Sequence, residues 1–196
     1  NEALNKAFAH KGPVHINAPF EEPLYETVSE LTVQSYVSPS IENTTIAVDL
    51  SSFATIWNQA SRKMILVGVN EPNAIDTKTI DFLANDASVS VWTETTSNLH
   101  HSSFITNIDT IITPFTTSDF ENFQPEILVT FGGMVVSKRI KAFLRKYKPK
   151  HHWHIDSLRA YDTFGALTQH VEMDPQLFFD QFIPLTKAVE SDYSRQ

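Results

Sequence analysis

The run Ile127-Leu128-Val129-Thr130-Phe131-Gly132-Gly133-Met134-Val135-Val136-Ser137-Lys138-Arg139 passes from an apolar strand, through a glycine pair, into the start of a helix. An apolar run without alternation is what a strand covered on both faces requires. Ile140, Phe143, Leu144 and Tyr147 then recur at helical spacing, and Pro149 stops that helix. A second such run is Met64-Ile65-Leu66-Val67-Gly68-Val69, followed by the turn Asn70-Glu71-Pro72-Asn73.

The same alternation continues outward from these two runs. Phe53, Ile56, Trp57 and Ala60 form one helical face, with Asp49 or Ser51 as its cap. Ile80, Leu83 and Ala84 predict the next helix. Val89 and Val91 predict a strand, and Ile111 with Ile112 another. Residues 151–155 read as a strand ending at Asp156, and 169–173 as the last strand. Asp174-Pro175 is a strong helix start, and Leu177, Phe178, Phe182 and Leu185 supply that helix with an apolar face. Strands alternating with helices imply right-handed crossovers and an α/β fold. The expectation is a three-layer α/β/α domain with a mostly parallel sheet of about six strands.

The beginning of the chain has a different character. Ala3, Leu4, Ala7 and Phe8 share one helical face, and Gly12 reads as its stop. Val14 and Ile16 alternate with His15 and Asn17 as in a short strand. Pro19, Pro23 and Pro39, with Glu21, Glu22 and Glu26, then interrupt any period. The chain has no initiator Met and opens in mid-helix, so we expect a piece excised from a longer protein. The expected divisions are 1–20 from a preceding domain, 21–45 as linker, 46–188 as the central domain and 189–196 as the start of another linker.

Composition narrows the function. With 41% hydrophobic and 19% charged residues among 196, the chain can bury a core. Its net charge of −8 argues against a nucleic acid or an anionic membrane as main partner. The absence of cysteine excludes thiolate metal sites, disulfides and a cysteine nucleophile. The five glycines, Gly12, Gly68, Gly132, Gly133 and Gly165, form no G-x-G-x-x-G, Walker loop or G-x-S-x-G. A self-contained nucleotide-binding enzyme is thereby disfavoured. No apolar run is long enough to span a bilayer, and no signal sequence opens the chain.

Three clusters are candidates for chemistry. Ser137, Lys138 and Arg139 stand at a helix start beyond a strand end, where free N–H groups and fixed cations meet an anion. The alternative is that both cations are solvated, continuing an exposed basic face with Lys141, Arg145, Lys146 and Lys148. His152 and His154 share one strand face, but two imidazoles do not make a metal site, and Trp153 between them packs on a helix; no metal ligand is assigned to them or to His151. His100-His101 lies in a loop. Glu94-Thr95-Thr96-Ser97-Asn98 and Asp156 also follow strand ends and could line a crevice, but the favoured reading of 94–98 is a polar connection with Ser97 or Asn98 capping. A Ser/His/Asp triad has no motif to order it.

Gly12-Pro13-Val14-His15-Ile16-Asn17-Ala18-Pro19-Phe20-Glu21-Glu22-Pro23-Leu24-Tyr25 is more specific. It closely resembles the junction after the first domain of the MenD family, thiamine-diphosphate enzymes of menaquinone biosynthesis. The 127–133 strand and loop with Ser137-Lys138-Arg139, and Trp153-His154-Ile155-Asp156, look like later segments of the same family. The resemblance implies a Rossmann-like central domain between a pyrimidine-binding and a diphosphate-binding domain of the same chain. It implies a reaction that decarboxylates 2-oxoglutarate on thiamine diphosphate and adds the product to isochorismate. Lys138 and Arg139 match the family's Lys-Arg pair, whose implied role is to meet a substrate carboxylate. The cofactor-activating glutamate and the Mg²⁺-binding Gly-Asp-Gly…Asn motif have no match here. No catalytic, cofactor or metal residue is therefore assigned, and the piece alone is expected to be inactive. A cytoplasmic homo-oligomer, dimer or tetramer, is implied for the full-length enzyme. The alternatives are a nucleotide- or flavin-binding central domain like that of acetolactate synthases, and a purely structural spacer.

Overall fold

The computed structural model describes residues 2–10, 12–21, 25, 27, 29–31, 34 and 48–195. The chain divides into two units, 1–45 and 46–196. In the first, helix α1 (Glu2–Ala9) carries the expected apolar spacing and a Glu2–Lys6 ion pair of 2.9 Å one turn apart. The Gly12 N–H closes its end on the Ala7 carbonyl. The strand expected at Val14 and Ile16 does not form. These side chains are 41% and 69% exposed, and alternation makes a strand only where a neighbouring strand completes the ladder. The expected linker falls largely outside the described residues.

The second unit is built on a five-stranded sheet: β1 (Lys63–Val67), β2 (Val89–Thr93), β3 (Ile127–Phe131), β4 (His151–Ile155) and β5 (Gln169–Val171). The order is β2-β1-β3-β4-β5 and every pair is parallel. Helices α2 (Ser51–Trp57), α3 (Thr77–Asn85) and α7 (Pro175–Phe182) cover one face; α4 (Ile108–Ile112), α5 (Thr117–Phe123) and α6 (Lys138–Lys146) cover the other. The two-residue period of the strands sorts the core. Ile65, Val67, Val129 and Phe131 join the first helical layer with Trp57, Trp153 and Phe182. Met64, Leu66 and Leu128 join the second with Ile140, Phe143 and Leu144. The three-layer α/β/α architecture is therefore present.

Helix starts follow the local chemistry. Asp76 accepts from the Thr79 N–H at 2.7 Å ahead of α3, and Asp174 accepts from Gln176 and Leu177 ahead of α7. Asp49 accepts from both the N–H and the hydroxyl of Ser51 at the start of α2. A second strand expectation is corrected. Ile111 and Ile112 end helix α4, with Ile112 buried and Ile111 exposed. The sheet position beyond β2 is taken instead by the single residue Ile105, whose N–H bonds Val91 and whose carbonyl accepts from Thr93, both at 2.9 Å. The described sheet thus has five strands where about six were expected.

The segment expected to begin a linker folds back onto the unit. Tyr193 is fully buried, its hydroxyl donating to the Phe123 carbonyl at 2.8 Å. The Ser194 N–H bonds Ala87, and the Ser191 hydroxyl bonds Ser61.

Candidate functional site

In an open parallel sheet, loops beyond the carboxyl ends of the strands form the ligand crevice, above all where chain order reverses. Here that point lies between β1 and β3. It is closed by backbone. The Gly68 N–H bonds Phe131, the Val69 N–H bonds Met134, and the Gly133 N–H bonds Val69 at 2.6 Å. Gly132 has φ +78°, and a Cβ there would stand 2.8 Å from the Val69 oxygen. Gly132 and Gly133 thus serve the contact between the two loops and also border the crevice beside it.

The open crevice lies one strand over, above β3 and β4, with a volume of about 350 Å³. His154, Asp156, Arg159, Tyr161 and Thr130 line it. The Arg159 guanidinium stands 5.4 Å from the Tyr161 ring centre. Asp156 accepts from the N–H groups of Leu158 and Arg159, which makes it a turn former as well as a lining residue. The Thr130 hydroxyl lies 2.9 Å from His152 Nε2 and 2.8 Å from His154 Nδ1, so it joins the two rings, with the direction of each bond set by the imidazole tautomers. Burial pushes His152 down to about 4, with His154 adding to the shift and Asp162 opposing it. Burial also lowers His154, against the pull of Asp156. His170 Nε2 donates to the Asp156 carbonyl at 2.7 Å. Trp153 faces the other way, onto Phe53, Trp57 and Phe182. Among the described residues no group of three His, Asp or Glu is placed to hold a metal ion.

The expected anion site at α6 divides between buried and exposed residues. Ser137 is buried and accepts from the Ile140 N–H at 3.2 Å as the helix cap. Its hydroxyl donates to Asp109 at 2.5 Å and its N–H to Glu94 at 2.6 Å. Lys138 and Arg139 are exposed, and among the described residues neither has a carboxylate partner. Arg139 borders a groove of about 370 Å³ with Phe120, Phe143, Lys146 and Tyr147, apart from the β3–β4 crevice. Of the 94–98 stretch, Ser97 accepts from the Glu94 N–H and donates to Val67, while Glu94 bonds the loop ahead of α6. His101 stays in its loop, paired with Ser103. Arg159 and Tyr161 escaped the sequence reading; their place just beyond the β4 strand end was the available signal.

The family model described as "Middle domain of thiamine pyrophosphate" matches residues 33–187. A relative from Flavobacterium psychrophilum, named 2-succinyl-5-enolpyruvyl-6-hydroxy-3-cyclohexene-1-carboxylate synthase, is 60% identical over 192 residues, covering 98% of this chain and 35% of the relative. A protein of the same name from Flavobacterium johnsoniae is 57% identical over 196 residues, with 98% and 35% covered. One from Bacteroides thetaiotaomicron is 32% identical over 201 residues, with 100% and 36% covered. The chain spans about a third of the length of the curated relatives it matches. No helix among the described residues is long and apolar enough to cross a membrane. With a parallel α/β/α sheet and a family match over most of its length, the chain belongs to the family of thiamine pyrophosphate enzyme middle domains.

Proposed function

We propose that this chain is the central domain of a MenD-type synthase, in which Lys138 and Arg139 hold a substrate carboxylate. The full-length enzyme joins the succinyl unit of decarboxylated 2-oxoglutarate to isochorismate in menaquinone biosynthesis. The observation that carries the assignment is the state of the two cations. They are exposed, without a carboxylate partner among the described residues, and mounted at the first turn of α6 beyond the carboxyl end of β3. Met134 and Val136 on the same loop are 76% and 63% exposed, an apolar surround suited to a site completed by other parts of the enzyme. Ser137 acts through the loop, since its hydroxyl and N–H are already engaged.

Residues 1–20 on this reading belong to the pyrimidine-binding domain and 21–45 to a linker. The Gly-Asp-Gly…Asn motif that the resemblance links to Mg²⁺ has no match in this sequence. On this reading thiamine diphosphate and Mg²⁺ belong to the flanking domains of a cytoplasmic homo-oligomer. Synthase activity, or titration of thiamine diphosphate onto the isolated chain, tests this; either one present overturns it. The flavin-binding alternative requires room between the β1 and β3 loops, where backbone contacts backbone. A flavin absorbance band in the purified protein would restore it.

The decisive experiment replaces Lys138 and Arg139 by Ala in the full-length enzyme. We expect KM for isochorismate or 2-oxoglutarate to rise by about tenfold or more, the loss expected from charge-assisted contacts. Unchanged kinetics for both substrates favour the structural spacer.

A further inference from the structure

Glu94 follows β2, and its backbone is held firmly. Ser97, itself fully buried, accepts from the Glu94 N–H at 2.9 Å and donates to the Val67 carbonyl of β1 at 2.7 Å. From this base the carboxylate crosses to the β3–α6 loop. One oxygen accepts from the Val136 N–H at 2.7 Å and the other from the Ser137 N–H at 2.6 Å. Two oxygens thus grip two consecutive donors, each bond at charge-assisted length. Asp109 of α4 takes the Ser137 hydroxyl beside them. The Lys141 ammonium donates to the Val135 carbonyl at 2.9 Å, and Gly133 is bonded to Val69. The loop is therefore tied to the segments that follow β1 and β2, to α4 through the Ser137 hydroxyl and to α6 through Lys141, and the next two residues are Lys138 and Arg139.

This arrangement changes what the start of α6 offers. Free N–H groups at a helix start attract an anion. Here an internal carboxylate already fills the two that lead into the helix. A substrate carboxylate is left the side chains and first-turn N–H groups of Lys138 and Arg139, whose backbone positions the clamp sets. We infer that Glu94 is a positioning residue for the Lys138–Arg139 pair, and that its carboxylate also keeps small inorganic anions off the N–H groups of Val136 and Ser137. The inference rests on the proposed substrate role of that pair, and follows from the two-pronged contact to Val136 and Ser137.

The test uses the full-length enzyme with three changes: Glu94→Gln, Glu94→Ala and the pair Lys138→Ala with Arg139→Ala. Gln retains one acceptor but turns a donor toward the second N–H, so it breaks half the clamp without emptying the site. We expect Glu94→Gln to raise KM for the substrate affected by the pair change by about tenfold, with kcat within about twofold. Adding Glu94→Gln to the pair change should raise KM no further, because the clamp acts through those cations. Glu94→Ala should gain competitive inhibition by inorganic phosphate that the parent enzyme lacks. If Glu94→Ala fails to fold, Glu94→Gln alone decides. A merely structural role would lower thermal stability and leave KM and phosphate sensitivity unmoved, and that result overturns the inference. If the pair change itself leaves KM unaltered, the substrate reading fails first. If the pair change raises KM and Glu94→Gln does not, the inference fails alone.

Discussion

Gly68 and Gly133 meet backbone to backbone: a Cβ on Gly68 would lie 2.0 Å from the Gly133 carbonyl oxygen. No side-chain rotation relieves such a clash, because neither colliding atom belongs to a flexible group. Gly68→Ala should therefore destabilise the protein by more than about 2 kcal/mol through forced separation of the β1 and β3 loops. Urea unfolding with an unchanged slope measures it, and a loss below about 0.5 kcal/mol would contradict the close approach.

His152 makes stability depend on pH. Its ring is buried with Nδ1 lacking a hydrogen-bond partner, and its pKa is lowered from 6.5 to about 4 by burial. Above pH 6.5 the ring is neutral in both states. Between about 6.5 and 4 the unfolded chain binds a proton that the folded one refuses, so stability falls as pH falls. The loss amounts to something on the order of 3 kcal/mol across that window. His151 and His154, also lowered by burial, add to the same slope. His152→Gln should flatten the dependence between pH 7 and 4.5 in denaturant titrations; an unchanged slope would refute the assignment.

Tyr193 anchors the end of the second unit. Burial raises its pKa, so its phenol stays protonated in the native state to pH values where an exposed tyrosine ionises. Tyr193→Phe leaves the Phe123 carbonyl unpaired in the core and should cost about 1–3 kcal/mol. Tyr193→Ala adds a cavity and should cost about 3–5 kcal/mol. Thermal unfolding ranks the two, and equal effects would show that the hydroxyl, not the ring, carries the anchor.

Lys63 is a fully buried cation at the start of β1. Its ammonium donates to Ser88 at 2.6 Å and lies 5.0 Å over the Trp57 ring. Desolvation lowers its pKa, with Asp86 and Glu126 opposing. Lys63→Met removes the desolvation cost while Ser88 keeps its bond to Asp86. Stability at pH 7 should remain within about 1 kcal/mol of the parent or rise. A loss of several kcal/mol would show that the ammonium is a net stabilising contact.

Much of the architecture was legible because its causes are local. The apolar runs at 64–69 and 127–131 forecast strands buried on both faces, and Asp174-Pro175 and Ser137 mark helix starts by bonds within three residues. Ile111 and Ile112 misled because two β-branched residues favour a strand only when a sheet edge is available. Ile105 holds that edge, and α4 uses Ile112 against the core instead.

The sequence alone determined the layered α/β design, the cation pair at the start of α6 and, through the 12–25 segment, the family resemblance. Only the tertiary structure decided what surrounds that pair. Glu94 and Val136 are 42 positions apart in the chain, and Gly68 meets Gly133 across two different strand ends. Such contacts depend on strand order, which places β3 beside β1 and brings the loops after β1, β2 and β3 to one end of the sheet. Periodicity and capping act over a few residues and carry no information about which distant loop will face them. A carboxylate that read as a loop residue thus became the clamp on the candidate site.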